Sequence, residues 1–167
     1  MIALETLLKP LEVKSTKGDT SKVIRRVVSD SRRVAAGSMF CAIKGLTVDG
    51  HEYIAQAIES GANTILCEEI PQDLNANVTY VLVDDAAKAL ALSATIFYNE
   101  PSKNLKLIGI TGTNGKTTVA TLLHDLFSKL GFKSGLVSTV VNKIGLTEKP
   151  SRFTTPCLLY TSDAADE

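Results

Sequence analysis

Short apolar runs along the first hundred residues alternate between the spacing of strands and the spacing of helices. Runs rich in apolar and β-branched residues predict strands over 24–28, 39–43, 64–67 and 78–83. Apolar positions at helical spacing predict a short amphipathic helix at the N-terminus, a helix over 53–60 that ends at Gly61, and a helix over 86–98. This alternation of elements is typical of an α/β domain.

A polar segment that contains a proline, residues 99–104, interrupts the pattern and predicts a domain boundary. After it, the sequence predicts a strand over 105–111, a tight glycine loop, and a helix over 116–130 whose apolar stripe is core. A further strand over 134–141 is expected to lie parallel to the first, because a helix crossover joins them. The second part therefore has the pattern of a βαβ unit.

The predicted fold class is α/β throughout, with two domains. An N-terminal α/β domain occupies residues 1–100, and residues 105–156 form the beginning of a parallel-sheet domain with a phosphate-binding loop. Residues 157–167 form a tail outside both domains. The whole chain of 167 residues has room for one complete domain and part of another.

Composition and charge exclude several classes of function. Lysine and arginine (18) balance aspartate and glutamate (18), so the chain lacks the basic excess of a general nucleic-acid or membrane-surface binder. No run approaches the roughly 20 apolar residues that cross a bilayer. Three cysteines without metal-ligand spacing fit a reducing compartment. We therefore expect a cytoplasmic protein with no nucleic-acid or membrane partner, in which local geometry binds any anion.

A glycine-rich segment lies between the predicted strand and helix of the second part. It consists of Gly112, Thr113, Asn114, Gly115, Lys116, Thr117 and Thr118. Glycines let backbone N–H groups approach a triphosphate, and the helix start adds unpaired donors and the positive end of its dipole. Lys116 is the candidate catalytic residue, a mobile charge for the β- and γ-phosphates, and the Thr117 hydroxyl completes the coordination of Mg²⁺. The segment predicts a site for ATP and Mg²⁺, although Ile110 replaces the first glycine of the standard motif.

Other polar residues have structural interpretations beside functional ones. The run Asp30-Ser31-Arg32 is either a ligand-binding segment or a strand end whose carboxylate caps a turn. Two adjacent acids, Asp84 and Asp85, are expected to cap the helix that follows them. We expect His51 to be structural and His124 to lie on the solvent side of its helix, because neither has a metal-like partner nearby in sequence.

Several motifs resemble one family in its own order. The loop at 112–118 is similar to the ATP loop of the Mur ligases, the ATP-dependent amide-forming enzymes of peptidoglycan synthesis. Upstream, Asp30-Ser31-Arg32, residues 37–42 and Asp49-Gly50-His51 resemble the domain of that family that holds the UDP-sugar. Downstream, Ser138-Thr139 and Thr154-Thr155-Pro156 resemble segments that contact the muropeptide. The resemblance extends from about residue 20 to residue 156.

The resemblance implies a set of substrate-binding residues. The nucleotide-sugar is expected to contact Ser29, Ser31, Leu46, Thr47 and Val48, and the muropeptide to contact Thr154 and Thr155. Hydroxyls and backbone amides suit uridine and pyrophosphate because they donate hydrogen bonds without requiring a buried charge.

The implied activity is that of the family member that adds the third residue of the stem peptide. A carboxylate of UDP-N-acetylmuramoyl-L-alanyl-D-glutamate attacks ATP to give an acyl phosphate, which an amine, meso-diaminopimelate or L-lysine, then attacks. The family's acceptor domain, its later magnesium-binding carboxylate and its carbamylated lysine have no counterpart within 167 residues. We therefore expect a monomeric fragment that is inactive alone.

Three alternatives remain open at the level of sequence. The family member that adds D-Ala-D-Ala shares the Asp-Ser-Arg and Asp-Gly-His patterns, although Asn114 and Thr-Thr-Pro favour the third-residue enzyme. Folylpolyglutamate synthases share the ATP loop but begin with it. A non-catalytic nucleotide-binding module is the third alternative. The tail from Cys157 departs from the family pattern, and we interpret it as foreign sequence.

Overall fold

The computed structural model describes residues 1–45, 48–145 and 147–151. The chain divides into two compact units, Met1–Pro101 and Ser102–Glu167. Within the described ranges, no helix has both the length and the apolar content needed to cross a membrane.

Unit 1 is built on a five-stranded sheet. Its strands are β2 (Val13–Lys17), β4 (Arg26–Val28), β5 (Ser38–Cys41), β6 (Ala62–Cys67) and β7 (Thr79–Val83). Their order across the sheet is β2-β7-β6-β5-β4. Strands β4 to β7 are parallel to one another, and β2 pairs antiparallel with β7 at one edge. A separate antiparallel pair joins β1 (Ile2–Ala3) and β3 (Val23–Ile24).

The helices of unit 1 cover both faces of this sheet. They are α1 (Leu4–Leu8), α2 (Ile54–Glu59) and α3 (Ala86–Phe97), with 3₁₀ turns at Ser31–Arg33 and Gly50–Tyr53. A third 3₁₀ turn, Pro101–Asn104, begins at the last residue of unit 1 and continues into unit 2. Helix α2 packs on β6, whereas α3 packs on β4, β5 and α1. Parallel strands require this double cover because both of their faces are apolar.

The core of unit 1 follows from the alternation of side chains along the strands. Phe40, Ile65 and Tyr80 are register partners in adjacent strands and are almost fully buried in one cluster with α2. Leu66 and Val81, which follow the last two of them, point to the opposite face and are also buried. The Tyr80 hydroxyl accepts a hydrogen bond from the Asn75 N–H at 3.0 Å, so its burial leaves no unpaired oxygen.

Unit 2 has one long helix and a small antiparallel sheet. Helix α4 spans Lys116–Lys129, and the strands are β8 (Gly135–Val137), β9 (Val141–Ile144) and β10 (Thr147–Pro150), in the order β10-β9-β8. Among the described residues of this unit, only His124 and Leu136 are buried.

The predicted fold class is confirmed, and the helices over 86–97 and 116–129 begin and end within one residue of their predicted limits. The strand predicted over 24–28 is divided at Arg25, whose N–H donates to the Gly37 carbonyl at 2.9 Å. Strand β2 was not predicted, because its sequence Val-Lys-Ser-Thr-Lys is polar, as suits an edge strand.

Two predictions for unit 2 are wrong in the described structure. Residues 105–111 form no strand, and Leu107 is 91% exposed. The segment at 134–141 is not a parallel partner for them, because β8 pairs antiparallel with β9. A parallel strand needs a neighbouring strand to accept its backbone hydrogen bonds, and the described part of unit 2 offers none beside 105–111.

The helical stripe predicted to be core is largely exposed for the same reason. Val119, Leu122, Leu126 and Leu130 are all exposed, although they share the predicted face of α4. The face is apolar as predicted, but no sheet covers it within the described residues.

We expect the two units to differ in stability. Backbone amides of β5, β6 and β7 should exchange with deuterium at least about tenfold more slowly than amides of α4, because buried ladders open only with the whole core. Hydrogen exchange followed by mass spectrometry on the 167-residue chain measures this difference. Equal protection in the two units would contradict it.

Candidate functional site

The glycine loop of unit 2 leads directly into α4. Gly112 has φ 147° and Gly115 has φ 77°, a left-handed conformation that favours glycine. The Val119 N–H donates to the Gly115 carbonyl at 2.9 Å as the first bond of the helix. The N–H groups of residues 116–118 therefore have no acceptor within the helix, and they remain available to an anion.

The Lys116 side chain folds over this loop. Its Nζ donates to the Gly112 carbonyl at 2.5 Å and to the Thr113 carbonyl at 3.1 Å. The ammonium group thus lies against the loop backbone, and the lysine stays exposed to solvent. Anionic phosphate oxygens are stronger acceptors than neutral carbonyls, so a phosphate at the loop would compete for this ammonium group.

The Thr117 hydroxyl lies at the mouth of the loop. Its Oγ1 is 3.5 Å from the Oγ1 of Thr139, and the Thr117 carbonyl accepts from Thr121 Oγ1 at 2.9 Å. Thr139 lies in a turn that Ser138 holds, since Ser138 Oγ donates to the Val141 carbonyl at 2.6 Å. The structure thus places two hydroxyls side by side at the start of α4.

These residues fit ATP and Mg²⁺ chemically. A Cβ built on Gly115 meets no atom within 4 Å, so the space beside the loop is open. No group of three or more His, Cys, Asp or Glu gathers in the described ranges. A Mg²⁺ ion at this loop would be held by the Thr117 hydroxyl together with phosphate oxygens and water, which is the environment that Mg²⁺ prefers.

The prediction for His124 is wrong, because its side chain is buried and not on the solvent side of α4. Only 8% of the residue is exposed; its Nδ1 lies 3.3 Å from Asp125 Oδ1, and its Nε2 has no hydrogen-bond partner among the residues that the structure describes. Helix α4 packs on β8 in this unit, so the face that carries His124 is covered. The spacing of residues within α4 did not predict the burial of His124, because that burial depends on packing against β8, a strand later in the chain.

In unit 1, the loops that follow the parallel strands meet at one edge of the sheet. Ser29 and Ser31 follow β4, the described residues 42–45 and 48–50 follow β5, and Glu68 follows β6. Ligands of open α/β sheets bind outside the carboxyl ends of strands, at this kind of edge. We call this group of loops the carboxyl edge.

The substrate residues predicted from the resemblance are only partly within the described ranges. Ser29 and Ser31 are partly buried at the carboxyl edge, and Ser31 Oγ donates to Gln56 Oε1 at 3.0 Å. Val48 is described and exposed. Leu46, Thr47, Thr154 and Thr155 lie outside the described residues.

The Asp30 carboxylate caps the turn that follows it, which is the structural interpretation given for this residue in the sequence analysis. Its carboxylate accepts from the Arg32 N–H at 3.1 Å and from Arg32 Nε and Nη2 at 2.9 and 2.7 Å. The hydrogen bonds from the Arg32 side chain lower the pKa of Asp30 despite its partial burial. The Asp30 carboxylate therefore stays ionised. The Arg32 guanidinium neutralises its charge, next to the candidate ligand contacts Ser29 and Ser31.

The second structural interpretation, for His51, also agrees with the structure. The His51 Nδ1 lies 2.6 Å from Asp49 Oδ1, and its Nε2 accepts from the Glu68 and Glu69 N–H groups at 3.0 and 3.3 Å. Sequence reasoning did not find Glu68, because no local spacing relates it to a histidine 17 positions earlier.

Carboxylates also occupy the start of α3, as predicted for Asp85. The Lys88 N–H donates to Asp85 Oδ1 at 2.8 Å, and the Ala86 N–H donates to Glu68 Oε1 at 2.9 Å. Asp84 pairs with Lys14 and does not cap the helix. Internal acids thus already accept two of the first N–H groups of α3, those of Ala86 and Lys88.

An α/β unit with a loop-lined carboxyl edge, followed by a glycine loop at a helix start, is typical of a nucleotide-binding α/β protein. Residues 23–98 match the family described as Mur ligase family, catalytic domain, and residues 110–164 match the Mur ligase middle domain. The two matches together cover more than three quarters of the chain. The chain belongs to the Mur ligase family.

Curated relatives share the same order of segments. The chain is 47% identical over 153 residues to the UDP-N-acetylmuramoyl-L-alanyl-D-glutamate–2,6-diaminopimelate ligase of Phocaeicola vulgatus, covering 92% of this chain and 32% of that protein. It is 41% identical over 155 residues to the ligase of the same name from Clostridium botulinum, with the same coverage. The chain thus spans about a third of the length of these relatives.

Solved structures with a similar fold carry related names. A UDP-N-acetylmuramoylalanyl-D-glutamyl-2,6-diaminopimelate–D-alanyl-D-alanyl ligase from Acinetobacter baumannii matches with a TM-score of 0.60 and 28% identity, covering 77% of this chain and 28% of that one. A structure of a UDP-N-acetylmuramoyl-L-alanyl-D-glutamate–2,6-diaminopimelate ligase matches 98% of this chain and 32% of that one, with a TM-score of 0.69 and 21% identity. The second likeness shows the fold alone.

Proposed function

We propose that this chain is part of an ATP-dependent ligase of peptidoglycan precursor synthesis. Its reaction adds 2,6-diaminopimelate, as the third amino acid, to UDP-N-acetylmuramoyl-L-alanyl-D-glutamate. The observation that carries the proposal is the loop at 112–118, with unpaired N–H groups at the start of α4 and the Lys116 ammonium group against its backbone. The names of the relatives at 41–47% identity support the choice of substrate and amine.

The proposed reaction begins with the approach of two anions, a substrate carboxylate and the γ-phosphate of ATP. Attack of the carboxylate on that phosphate gives an acyl phosphate and ADP, and the amine then displaces phosphate from the acyl carbon. Neutralising charge and aligning the reactants provide most of the rate enhancement in such a transfer. Bound Mg²⁺ would contribute additional positive charge at the phosphates.

Named residues of this chain have distinct roles in the proposal. Gly112, Thr113, Asn114 and Gly115 shape the phosphate loop, Lys116 neutralises the γ-phosphate, and Thr117 and Thr118 add hydroxyls and helix N–H groups; Thr117 is the metal ligand. Ser29 and Ser31 bind the nucleotide-sugar together with Leu46, Thr47 and Val48. Thr154 and Thr155 bind the muropeptide. The cytoplasm, which contains ATP and UDP-linked precursors, is the proposed location.

Calorimetric titration of the 167-residue chain tests this proposal. We expect binding of UDP-N-acetylmuramoyl-L-alanyl-D-glutamate, and weaker binding of the corresponding tripeptide that already carries the third residue. Because Ser31 is a proposed contact of the nucleotide-sugar, Ser31→Ala should weaken dipeptide binding about 3- to 10-fold, the effect of one hydrogen bond. The matched control, Ser15→Ala on the edge strand β2, should leave it unchanged.

The same titration separates the alternatives. Preference for the tripeptide would favour the ligase that adds D-Ala-D-Ala. Binding of ATP without either UDP-muropeptide would favour a plain nucleotide-binding module and contradict the proposal.

A further inference from the structure

Four side chains from two neighbouring segments lie together at the carboxyl edge. Ser31 and Arg32 belong to the 3₁₀ turn after β4, whereas Tyr53 and Gln56 belong to the segment that begins α2. The turn packs on α2, and the Ser31 hydroxyl donates to Gln56 Oε1 at 3.0 Å. Tyr53 lies three positions before Gln56, a spacing that makes them neighbours on a helical surface. We call these four residues the turn–helix cluster.

The hydrogen bond between Ser31 and Gln56 fixes what each side chain can offer to a ligand. A serine hydroxyl has one proton, and Ser31 gives it to Gln56, so its Oγ can only accept from a ligand. The Gln56 Oε1 is occupied, whereas its Nε2 has no hydrogen-bond partner within the described residues and keeps two N–H groups to donate. The pair therefore presents one acceptor and one donor side by side at the surface.

The charged groups of the turn–helix cluster are already paired. Arg32 Nε and Nη2 donate to the Asp30 carboxylate at 2.9 and 2.7 Å. The pKa of Arg32 is raised, first by Asp30 and to a smaller degree by Tyr53, so the phenol lies near the guanidinium. The Tyr53 ring is 39% exposed. An exposed ring beside a neutral acceptor and donor suits a flat, uncharged polar group, such as a nucleotide base, better than an anion.

The order of donor and acceptor distinguishes one pyrimidine from the other. Uracil carries an N3–H donor next to the O4 acceptor, whereas cytosine carries an N3 acceptor next to an N4 amino donor. Ser31 Oγ and Gln56 Nε2 complement the uracil edge, but they would place acceptor against acceptor and donor against donor at the cytosine edge. A pyrophosphate has only acceptors, so it is also a poor partner for Ser31 Oγ.

We propose that Ser31 and Gln56 together select uracil, with Ser31 Oγ accepting from N3–H and Gln56 Nε2 donating to O4. Gln56 is thus a specificity-determining residue, because it both donates to the base and holds Ser31 as an acceptor. Tyr53 provides an exposed ring on which the base stacks. This inference rests on the proposed function, because it assigns the part of a UDP-linked substrate that Ser31 contacts.

Titration with UDP and CDP tests the inference, because these two nucleotides differ only in the base. Amide NMR signals of the 167-residue chain report the affinity for each nucleotide. We expect UDP to bind about tenfold more tightly than CDP, the equivalent of one or two hydrogen bonds. Equal binding of the two nucleotides, or no binding of either, would overturn the inference.

Two substitutions of Gln56 separate base selection from a structural role. Gln56→Glu keeps an acceptor for the Ser31 proton but replaces the free N–H groups with a carboxylate oxygen, which pairs with the cytosine amino group and repels the uracil O4. The tenfold preference for UDP should therefore disappear, although the contact with Ser31 persists. Gln56→Ala releases the Ser31 proton to donate to the cytosine N3, so this variant should also lose the preference. An unchanged preference in Gln56→Glu would overturn the inference.

The chain contains only one other glutamine, which provides the matched control. Gln72 is exposed between β6 and β7, and Gln72→Glu introduces the same charge as Gln56→Glu. We expect this variant to keep the full preference for UDP. Loss of the preference in Gln72→Glu as well would show that added charge, and not the Gln56 amide, determines it, and would overturn the inference.

The peptide part of the substrate separates this inference from the proposed function. If Gln56→Glu abolishes the preference for UDP while the original chain binds the UDP-tripeptide more tightly than the UDP-dipeptide, the proposed substrate is wrong and uracil selection stands. If the chain prefers the UDP-dipeptide but binds UDP and CDP equally, the proposed function stands and the inference is wrong.

Discussion

We expect Lys116→Gln to bind ATP about 10- to 100-fold more weakly than the original chain, the usual effect of losing hydrogen bonds between charged groups. Glutamine keeps most of the side-chain length but removes the positive charge next to the loop. Within the described part of the chain, the lysine donates only to the Gly112 and Thr113 carbonyls, at an exposed site. The substitution should therefore leave the unfolding transition almost unchanged. Titration with ATP in the presence of Mg²⁺ measures the loss.

Two comparisons make this result specific. Lys129→Gln, at the other end of α4, should bind ATP as the original chain does. The loss in Lys116→Gln should be larger for ATP than for AMP, because the lysine is placed to neutralise the β- and γ-phosphates. An equal loss for AMP, or no loss for ATP, would show that the ammonium group does not face the triphosphate.

The second large effect concerns stability. Phe40→Ala should lower the free energy of unfolding of unit 1 by about 3–5 kcal/mol, because it removes a ring from a close-packed core. Phe40 is 1% exposed and lies between α2 and the sheet, beside its register partner Ile65. This loss is a large fraction of the stability of a typical domain. Urea denaturation followed by far-UV circular dichroism measures it.

Unit 2 provides the matched control for this core substitution. Phe132→Ala removes the same side chain from an exposed position, where its ring contacts Phe127 with centroids 5.8 Å apart. We expect a change below about 1 kcal/mol, the scale of one aromatic pair. Similar losses for the two variants would mean that the core of unit 1 is not the main source of its stability.

The sequence predicted the parallel strands of unit 1 well, because they are short, apolar and bounded by turn residues. Strand β6 is an example: Thr64 to Cys67 was predicted, and the structure extends it to Ala62–Cys67. It predicted β2 poorly, since an edge strand needs no apolar face to pair with β7. The pattern of apolar residues predicts which strands are buried. Strand β2 is instead defined by its backbone pairing with β7, which leaves no such pattern.

In unit 2 the same kind of pattern predicted the helix but not the strands. Helix α4 depends on local spacing and on Gly115 and Gly131, both of which adopt positive φ at its ends. A strand over 105–111 depends on a partner strand, and its apolar sequence alone does not supply one. Three apolar residues of 105–108 and three of α4 are therefore exposed in the described structure: Leu105, Leu107, Ile108, Val119, Leu122 and Leu126.

The sequence by itself determined the glycine loop, the lysine and threonine at the start of α4, and the caps at Asp30 and Asp85, because each depends on residues within a few positions of one another. Only the tertiary structure decided that His51 accepts from Glu68 and Glu69, and that His124 is buried. Contacts between residues distant in sequence depend on how strands and helices pack. The spacing of residues along the chain does not predict that packing.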